Sequence, residues 1–293
     1  MTDTAQIGNI FANISNNYFH LTVSEKKVAD YVLSHKTDVQ YMSISELAYE
    51  SGVAEATISR FCRRLKLKGY NAFKLALAKA TAEEHGGISP TMEGQEGEIS
   101  PQDSISELCH KLYNAQTTAI AQSMELVRPE RVATAVDMLC DAQRVCCMGQ
   151  GGSMLIAAEA AHLFSTISSS FRPVSDSHMQ AMAAAMMESN DSVLFYSYSG
   201  STIAMLDTLK TIRERGAAVI LVTRFPKSPG AVLANVVLQC GANENPLQSG
   251  SIPARIAQMY LTDILFSEYT RRDMNAAMES RNRIAQALAA KHV

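Results

Sequence analysis

Two short stretches hold most of the residues whose types and spacing suit ligand chemistry. The first is Gly149-Gln150-Gly151-Gly152-Ser153 and the second is Ser197-Tyr198-Ser199-Gly200-Ser201-Thr202. Each follows an apolar run and precedes a segment of helical periodicity, so each sits where a strand hands over to a helix. Glycines let a backbone approach a ligand closely, and hydroxyls donate hydrogen bonds. The free N–H groups and positive partial charge of a helix N-terminus suit a phosphate, with no lysine required. Gly151, Gly152 and Ser153 in the first loop, and Ser197, Tyr198, Ser199, Gly200, Ser201 and Thr202 in the second, are therefore candidate ligand contacts. Neither loop is a nucleotide fingerprint. G-x-G-x-x-G would need glycine where Met154 stands, and no G-x-x-x-x-G-K-[ST] occurs.

Three further residues lie close to these loops in the chain order of the fold. His178, in SDSHMQA, starts a predicted helix beside the expected pocket, where a histidine serves either structure or ligand. Glu244, in GANENPLQSG, follows the last predicted strand and reads either as a ligand contact or as a solvated loop charge. Arg255, near the start of the next helix, reads as a partner for an acid or a packing group. Met179, Met182, Met186 and Met187 fall at helical spacing and suit a core or a dimer contact.

The elements that position these loops can be read from the alternation of patterns. Near-continuous apolar runs predict strands at about 143–148, 191–197, 217–223 and 235–240, with a shorter one near 170–174. Helical segments are expected near 153–168, 177–188, 202–215 and 252–270, with helices near 104–127 and 129–141 before the sheet and 273–290 after it. Such alternation specifies an α/β/α sandwich on a mainly parallel, five-stranded sheet. In an open sheet of this kind, ligands bind outside the carboxyl ends of the strands, where both loops fall.

A different chemistry occupies residues 43–67, SISELAYESGVAEATISRFCRRLKL. Ser43 and Glu46 have the spacing of a capping box, Gly52 can take the positive φ of a tight interhelical turn, and a second helix should begin at about Ala54. Val53, Ile58, Phe61, Cys62 and Leu65 form its inward stripe, with Thr57, Ser59, Arg60, Arg63 and Arg64 outward. This is the pattern of a helix-turn-helix unit, whose second helix enters the major groove of DNA. Thr57 and Ser59 would meet base edges or phosphates, Arg60 and Arg64 guanine or backbone, and Lys66 and Lys68 phosphates. Ser43, Ser45 and Arg63 complete the candidate DNA contacts. A helix at about 23–35, starting at Ser24, should brace the pair through Val28, Tyr31 and Val32.

Charge supports this division. The whole chain of 293 residues is mildly acidic, at −3. Residues 54–79, however, carry seven basic groups against one acid, a local net of +6, whereas residues 81–130 carry nine acids against Lys111 and Arg128. A basic patch confined to one domain is what phosphate neutralisation requires. We expect an all-helical DNA-binding domain over 1–80, a Gly-, Pro-, Ser- and Glu-rich linker over 81–103, and an α/β domain over 104–293 with its core at 130–275. The fold class is thus α + α/β. The six cysteines form no C-x-x-C pair and are expected as buried free thiols, with no metal and no cofactor. No apolar run approaches the roughly 20 residues that span a bilayer, which points to a cytoplasmic chain.

On these residues the chain resembles the RpiR family of bacterial transcription regulators. TVSEKKVADYVL, SISELAYESGVAEATISRFCRRL and KGYNAFKLAL carry the resemblance over residues 1–80. Such regulators usually have Ser where this chain has Ala54, a lost cap that weakens the helix start by ~1 kcal/mol. The two glycine- and serine-rich loops together are similar to the sugar isomerase (SIS) domain, over about residues 130–275. That resemblance implies that Ser197, Ser199 and Thr202, with the backbone from Tyr198 to Ser201, hold a phosphate and that Ser153 contacts the sugar. It further implies a homodimer or homotetramer on an inverted-repeat double-stranded DNA operator, controlled by a phosphorylated sugar. The alternative is a sugar-phosphate isomerase, for which His178 and Glu244 would have to supply the acid and base.

Overall fold

A computed structural model describes residues 9–84, 99–242, 252–289 and 291. Contacts divide the chain into two compact units. Among the described residues, one holds five α-helices and the first half of a sixth, and the other holds those that follow.

In the first unit, α1 (Ile10–Asn17), α2 (Val23–Ser34), α3 (Ile44–Glu50), α4 (Glu55–Arg64) and α5 (Tyr70–Glu84) surround one core. Ile14, Val28, Val32, Leu47, Ile58, Phe61, Phe73 and Leu77 are fully buried in it. Helix α2 begins one turn-residue earlier than Ser24: Thr22 is its cap, in a complete capping box with Glu25. The T-x-x-E spacing, not the nearer serine, sets the start. Helix α3 has the expected box, Ser43 accepting from the Glu46 N–H at 3.1 Å and its own N–H donating to Glu46 at 2.8 Å. The helical pattern of α5 runs past residue 80 to Glu84, into the stretch expected as linker; residues 85–98 lie outside the described residues.

Helix α6 (Ile105–Leu126) leads into the second unit. There, β1 (Arg144–Gly149), β2 (Phe171–Val174), β3 (Asp191–Tyr196), β4 (Ala218–Thr223) and β5 (Val236–Gln239) form one parallel sheet in the order β2-β1-β3-β4-β5. On one face lie α7 (Pro129–Asp141), α8 (Gly152–Ser165) and α12 (Ile252–Arg272), around Cys147, Leu194, Tyr196, Ile220 and Val222. On the other lie α9 (Ser177–Ala185), α10 (Ile203–Glu214) and α11 (Pro229–Leu233), around Met148, Val193, Phe195, Val219 and Leu221. Alternate residues of one strand thus feed two separate cores, which is why the strands are apolar throughout. Helix α13 (Met274–Ala289) closes the described chain. The five-residue α11, capped by Ser228 and opened by Pro229, has too short a pattern to be seen in the sequence.

One expectation about side chains is narrowed and another needs correction. Met187 is core, but Met179, Met182 and Met186 are exposed, because α9 ends at Ala185 and only one side of it meets the sheet. Of the cysteines, Cys62, Cys147 and Cys240 are buried free thiols, whereas Cys109 and Cys140 are exposed on helix surfaces. Burial pushes the Cys62 thiol up to about 12, so it is inert at neutral pH.

Candidate functional site

The helix-turn-helix is built from two helices that end in the same way. At the end of α3, Val53 N–H reaches the Ala48 carbonyl at 2.9 Å and Gly52 N–H reaches Tyr49 at 3.1 Å, with Gly52 at φ 63°. At the end of α4, Leu67 N–H reaches Cys62 at 3.0 Å and Lys66 N–H reaches Arg63 at 2.9 Å, with Lys66 at φ 63°. Both are Schellman caps. The second places a lysine in the left-handed conformation that glycine normally supplies, at a cost on the order of 1 kcal/mol. The start of α4 is bare: Ala54 takes the cap position with no side-chain bond.

The outward stripe of α4 is Ala56, Ser59, Arg60 and Arg63, with Lys66 and Lys68 exposed just beyond it. Three of the candidate DNA contacts, two from this stripe and one from α3, are engaged within the motif. Thr57 is 6% exposed and accepts a hydrogen bond from Arg60 at 3.2 Å. It lies next to Ile58 and one turn before Phe61, so the helix carries it inward despite its polarity. Arg64 bonds the buried Glu25 at 3.1 Å and the His20 carbonyl at 3.3 Å. Ser45 donates to Glu55, tying α3 to the first residue of α4. These three brace the motif, Arg64 while still about half exposed; Arg60 and Arg63 are the exposed α4 cations with no acid partner among the described residues. Burial pushes the Glu25 carboxyl up, but hydrogen bonds from Thr22 and Arg64 outweigh it and hold the group below its ordinary value.

In the α/β unit, the order β2-β1-β3 makes β1 and β3 neighbours whose following helices go to opposite faces. This is the topological switch point, where a crevice opens beyond the strand ends. Register pairs Gly149 with Tyr196, so both loops start at one level. In the first, Gly151 takes φ 56° as the cap residue of α8, and a Cβ at Gly149 would stand 2.5 Å from the Ser153 carbonyl oxygen. In the second, Gly200 takes φ 59°, and a Cβ there would stand 2.1 Å from Ser228 Oγ. Ser197 Oγ accepts from Gly200 N–H at 3.2 Å, and Ser199 Oγ from Ser201 N–H at 3.4 Å. The Tyr198 carbonyl takes bonds from Thr223 Oγ1 at 3.0 Å and Arg224 N–H at 3.1 Å, and its hydroxyl donates to the Ala242 carbonyl at 3.1 Å. Thr202 caps α10 by position, with no side-chain bond to the first turn. Thus α8 and α10 both present N-termini uncapped by side chains to one crevice.

His178 is exposed in the first turn of α9, its N–H bonded to the Asp176 cap at 2.9 Å. Glu244 lies outside the described residues. Gln180, not among the residues predicted from the sequence, is fully buried and donates to the carbonyls of Gly149 and Val174, each at 2.8 Å. One carboxamide therefore pins the ends of β1 and β2 at the rim of the crevice. A glutamine four residues before Ala184, itself core, is the one signal that this side chain points in.

Residues 8–84 match the helix-turn-helix domain of the rpiR family, and residues 138–268 match the SIS domain. An HTH-type transcriptional regulator of Caldanaerobacter subterraneus is 30% identical over 258 residues, spanning 88% of this chain and 89% of that one. Another, from Haemophilus influenzae, is 29% identical over 279 residues, 95% and 96% of the two chains. The structure of Vibrio vulnificus NanR, complexed with ManNAc-6P, superimposes with a TM-score of 0.86 over 97% of this chain and all of that one, at 23% identity. This chain belongs to the RpiR family: it is an HTH-type transcriptional regulator with a C-terminal SIS domain. Among the described residues, no helix is long and apolar enough to cross a membrane.

Proposed function

We propose that this regulator senses a phosphorylated sugar in the crevice between the β1 and β3 loops, and that occupancy of the crevice alters its hold on operator DNA. The observation that carries this reading is the pair of side-chain-uncapped helix N-termini, α8 and α10, meeting at the switch point amid hydroxyls and glycines. Ser197, Ser199, Thr202 and the backbone of Tyr198 to Ser201 hold the phosphate, and Gly151, Gly152 and Ser153 face the sugar. The acetamido sugar phosphate held by NanR, a protein of the same fold, supports the choice of ligand class. The relatives are named as regulators, which favours binding over isomerisation.

On the DNA side, Ser59, Arg60 and Arg63 read or contact the major groove, with Lys66 and Lys68 on phosphates. Exposed apolar side chains on α6, α9 and α13, among them Tyr113, Met182 and Met278, suit a homodimer. Two-fold symmetry would place two copies of α4 on an inverted repeat. The protein acts in the cytoplasm, where DNA and phosphorylated sugars are both present. A ligand changes DNA affinity only by binding two conformations unequally. A mobility-shift titration with millimolar hexose 6-phosphates, including N-acetylmannosamine 6-phosphate, should move operator affinity several-fold for the wild type and leave Ser199→Ala unmoved. No change in the wild type across that panel would refute the reading.

A further inference from the structure

Buried carboxamides in this protein are mostly spoken for. Gln180 Nε2 has two carbonyl partners at 2.8 Å, and Gln40 Nε2 donates to the Thr37 carbonyl at 2.9 Å, although Gln40 Oε1 is buried without a partner among the described residues. Gln258 differs. It is 2% exposed, and its Nε2 has no hydrogen-bond partner among the described residues. An amide donor taken from water and given nothing in return destabilises the protein, so such a group calls for a reason.

Its place in the fold supplies one. Helix α12 runs antiparallel to the strands: Phe266 and Tyr269 pack on Phe164 at the end of α8, and Tyr269 on Phe171 at the start of β2. Moving back along α12 therefore climbs toward the carboxyl ends of the strands. Thr262 is reached first, its Oγ1 2.8 Å from the hydroxyl of Tyr196, the last residue of β3. One turn higher, the Gln258 carbonyl accepts from Thr262 at 3.0 Å. From Phe266 to Gln258 the helix rises about 12 Å at 1.5 Å per residue. Another turn on, Arg255 has a buried Nε that likewise lacks a partner among the described residues. Through Phe266 and Tyr269 the helix packs against Phe164 of α8, whose N-terminus forms one wall of the crevice.

We infer that Gln258 is a specificity-determining residue, whose carboxamide donates to an oxygen of the sugar body at the end away from the phosphate. The inference rests on the reading of the crevice as a phosphosugar site. In that reading the phosphate sits at the α10 N-terminus on one face of the sheet, and Gln258 waits on the α8–α12 face. The ligand must then be long enough to cross between them. A hexose 6-phosphate carries oxygens beyond its phosphate that can meet Gln258, and inorganic phosphate carries none. The empty donor makes the unliganded protein pay for selectivity that only a sugar oxygen repays.

The test is Gln258→Met, which keeps volume and removes the donor, measured beside Gln258→Glu above about pH 8, which keeps the shape and, once ionised, only accepts. Calorimetric titration would use the hexose 6-phosphate that gives the largest mobility shift, with inorganic phosphate as competitor. Expected for Gln258→Met is a roughly tenfold loss of sugar-phosphate affinity, unchanged competition by inorganic phosphate, and a Tm no lower than wild type. Gln258→Glu should lose more. Unchanged sugar-phosphate affinity in both variants overturns the inference. So does a lowered Tm accompanied by an equal loss for inorganic phosphate, which marks a purely structural residue. A wild type that binds no sugar phosphate, or a Ser199→Ala variant that binds as well as wild type, instead defeats the underlying site.

Discussion

The α4 surface and the β1–β3 crevice are both suited to phosphate, yet they are built from opposite materials. The first uses formal charge: Arg60, Arg63, Lys66 and Lys68 stand exposed, and the groups around them are wired inward to keep the helix in place. The second uses backbone dipoles and hydroxyls, with glycines at φ 56° and 59°, the second of which leaves a side chain no room. Helices with structural duties start on side-chain caps, at Thr22, Ser43, Asp176 and Ser228. The helices at the two candidate surfaces start bare, at Ala54, Gly151 and Thr202; α7 is also bare, but Pro129 opens it and removes one of the N–H groups that need a partner. The difference teaches that a surface of long cations tolerates small shifts of its scaffold, whereas a dipole pocket depends on backbone placed to within tenths of an ångström.

The largest effect should therefore come from the pocket's backbone. Gly200→Ala would put a Cβ 2.1 Å from Ser228 Oγ at a positive φ, on a serine that already caps α11. A cost on the order of 3 kcal/mol is expected, with sugar-phosphate binding lost by calorimetry and DNA binding at low salt retained. If Gly200→Ala bound ligand normally, the contrast drawn between the two surfaces would collapse.

A smaller effect is expected from the braces of the DNA-binding unit. Arg64→Ala strands the buried carboxylate of Glu25, at about 1 kcal/mol once the half-exposed guanidinium is discounted for solvent screening. Because the folded-state value of Glu25 is held below 4.5, its contribution is present at neutral pH and fades as pH falls from there through the lowered value. Acid unfolding followed by circular dichroism should thus be less steep in Glu25→Gln than in wild type below about pH 4.5. Equal acid limbs would show that the pair does not brace α4.

Smallest of all is the restored cap. Ala54→Ser should raise the stability of the helix-turn-helix unit by about 0.5–1 kcal/mol, read as a higher Tm. A drop instead would mean that the bare start of α4 is held by something other than its own first turn.

Much of this was legible from pattern. The strands announce themselves as unbroken apolar runs because both sheet faces are covered, and the capping boxes at Thr22 and Ser43 are written in three-residue spacings. What escaped was whatever depends on a distant partner. Arg64 reads as a DNA contact until Glu25, 39 residues earlier, is brought beside it. Thr57 reads as outward from its chemistry, and only its phase relative to Ile58 and Phe61 says otherwise. Gln180 and Gln258 are polar letters within helices, and burial of a polar letter leaves no periodic trace.

The crevice between α8 and α10 has one more consequence, in the currency of opening motions. The two helices belong to different cores on opposite faces of the sheet, which share only the strands between them. Each face is free to breathe as its own cooperative unit, with its own amide-exchange rates. A molecule gripped by both loops would rivet the two units together, so protection in α8 and in α10 would rise in step. The sheet would then behave as one body where it had behaved as two.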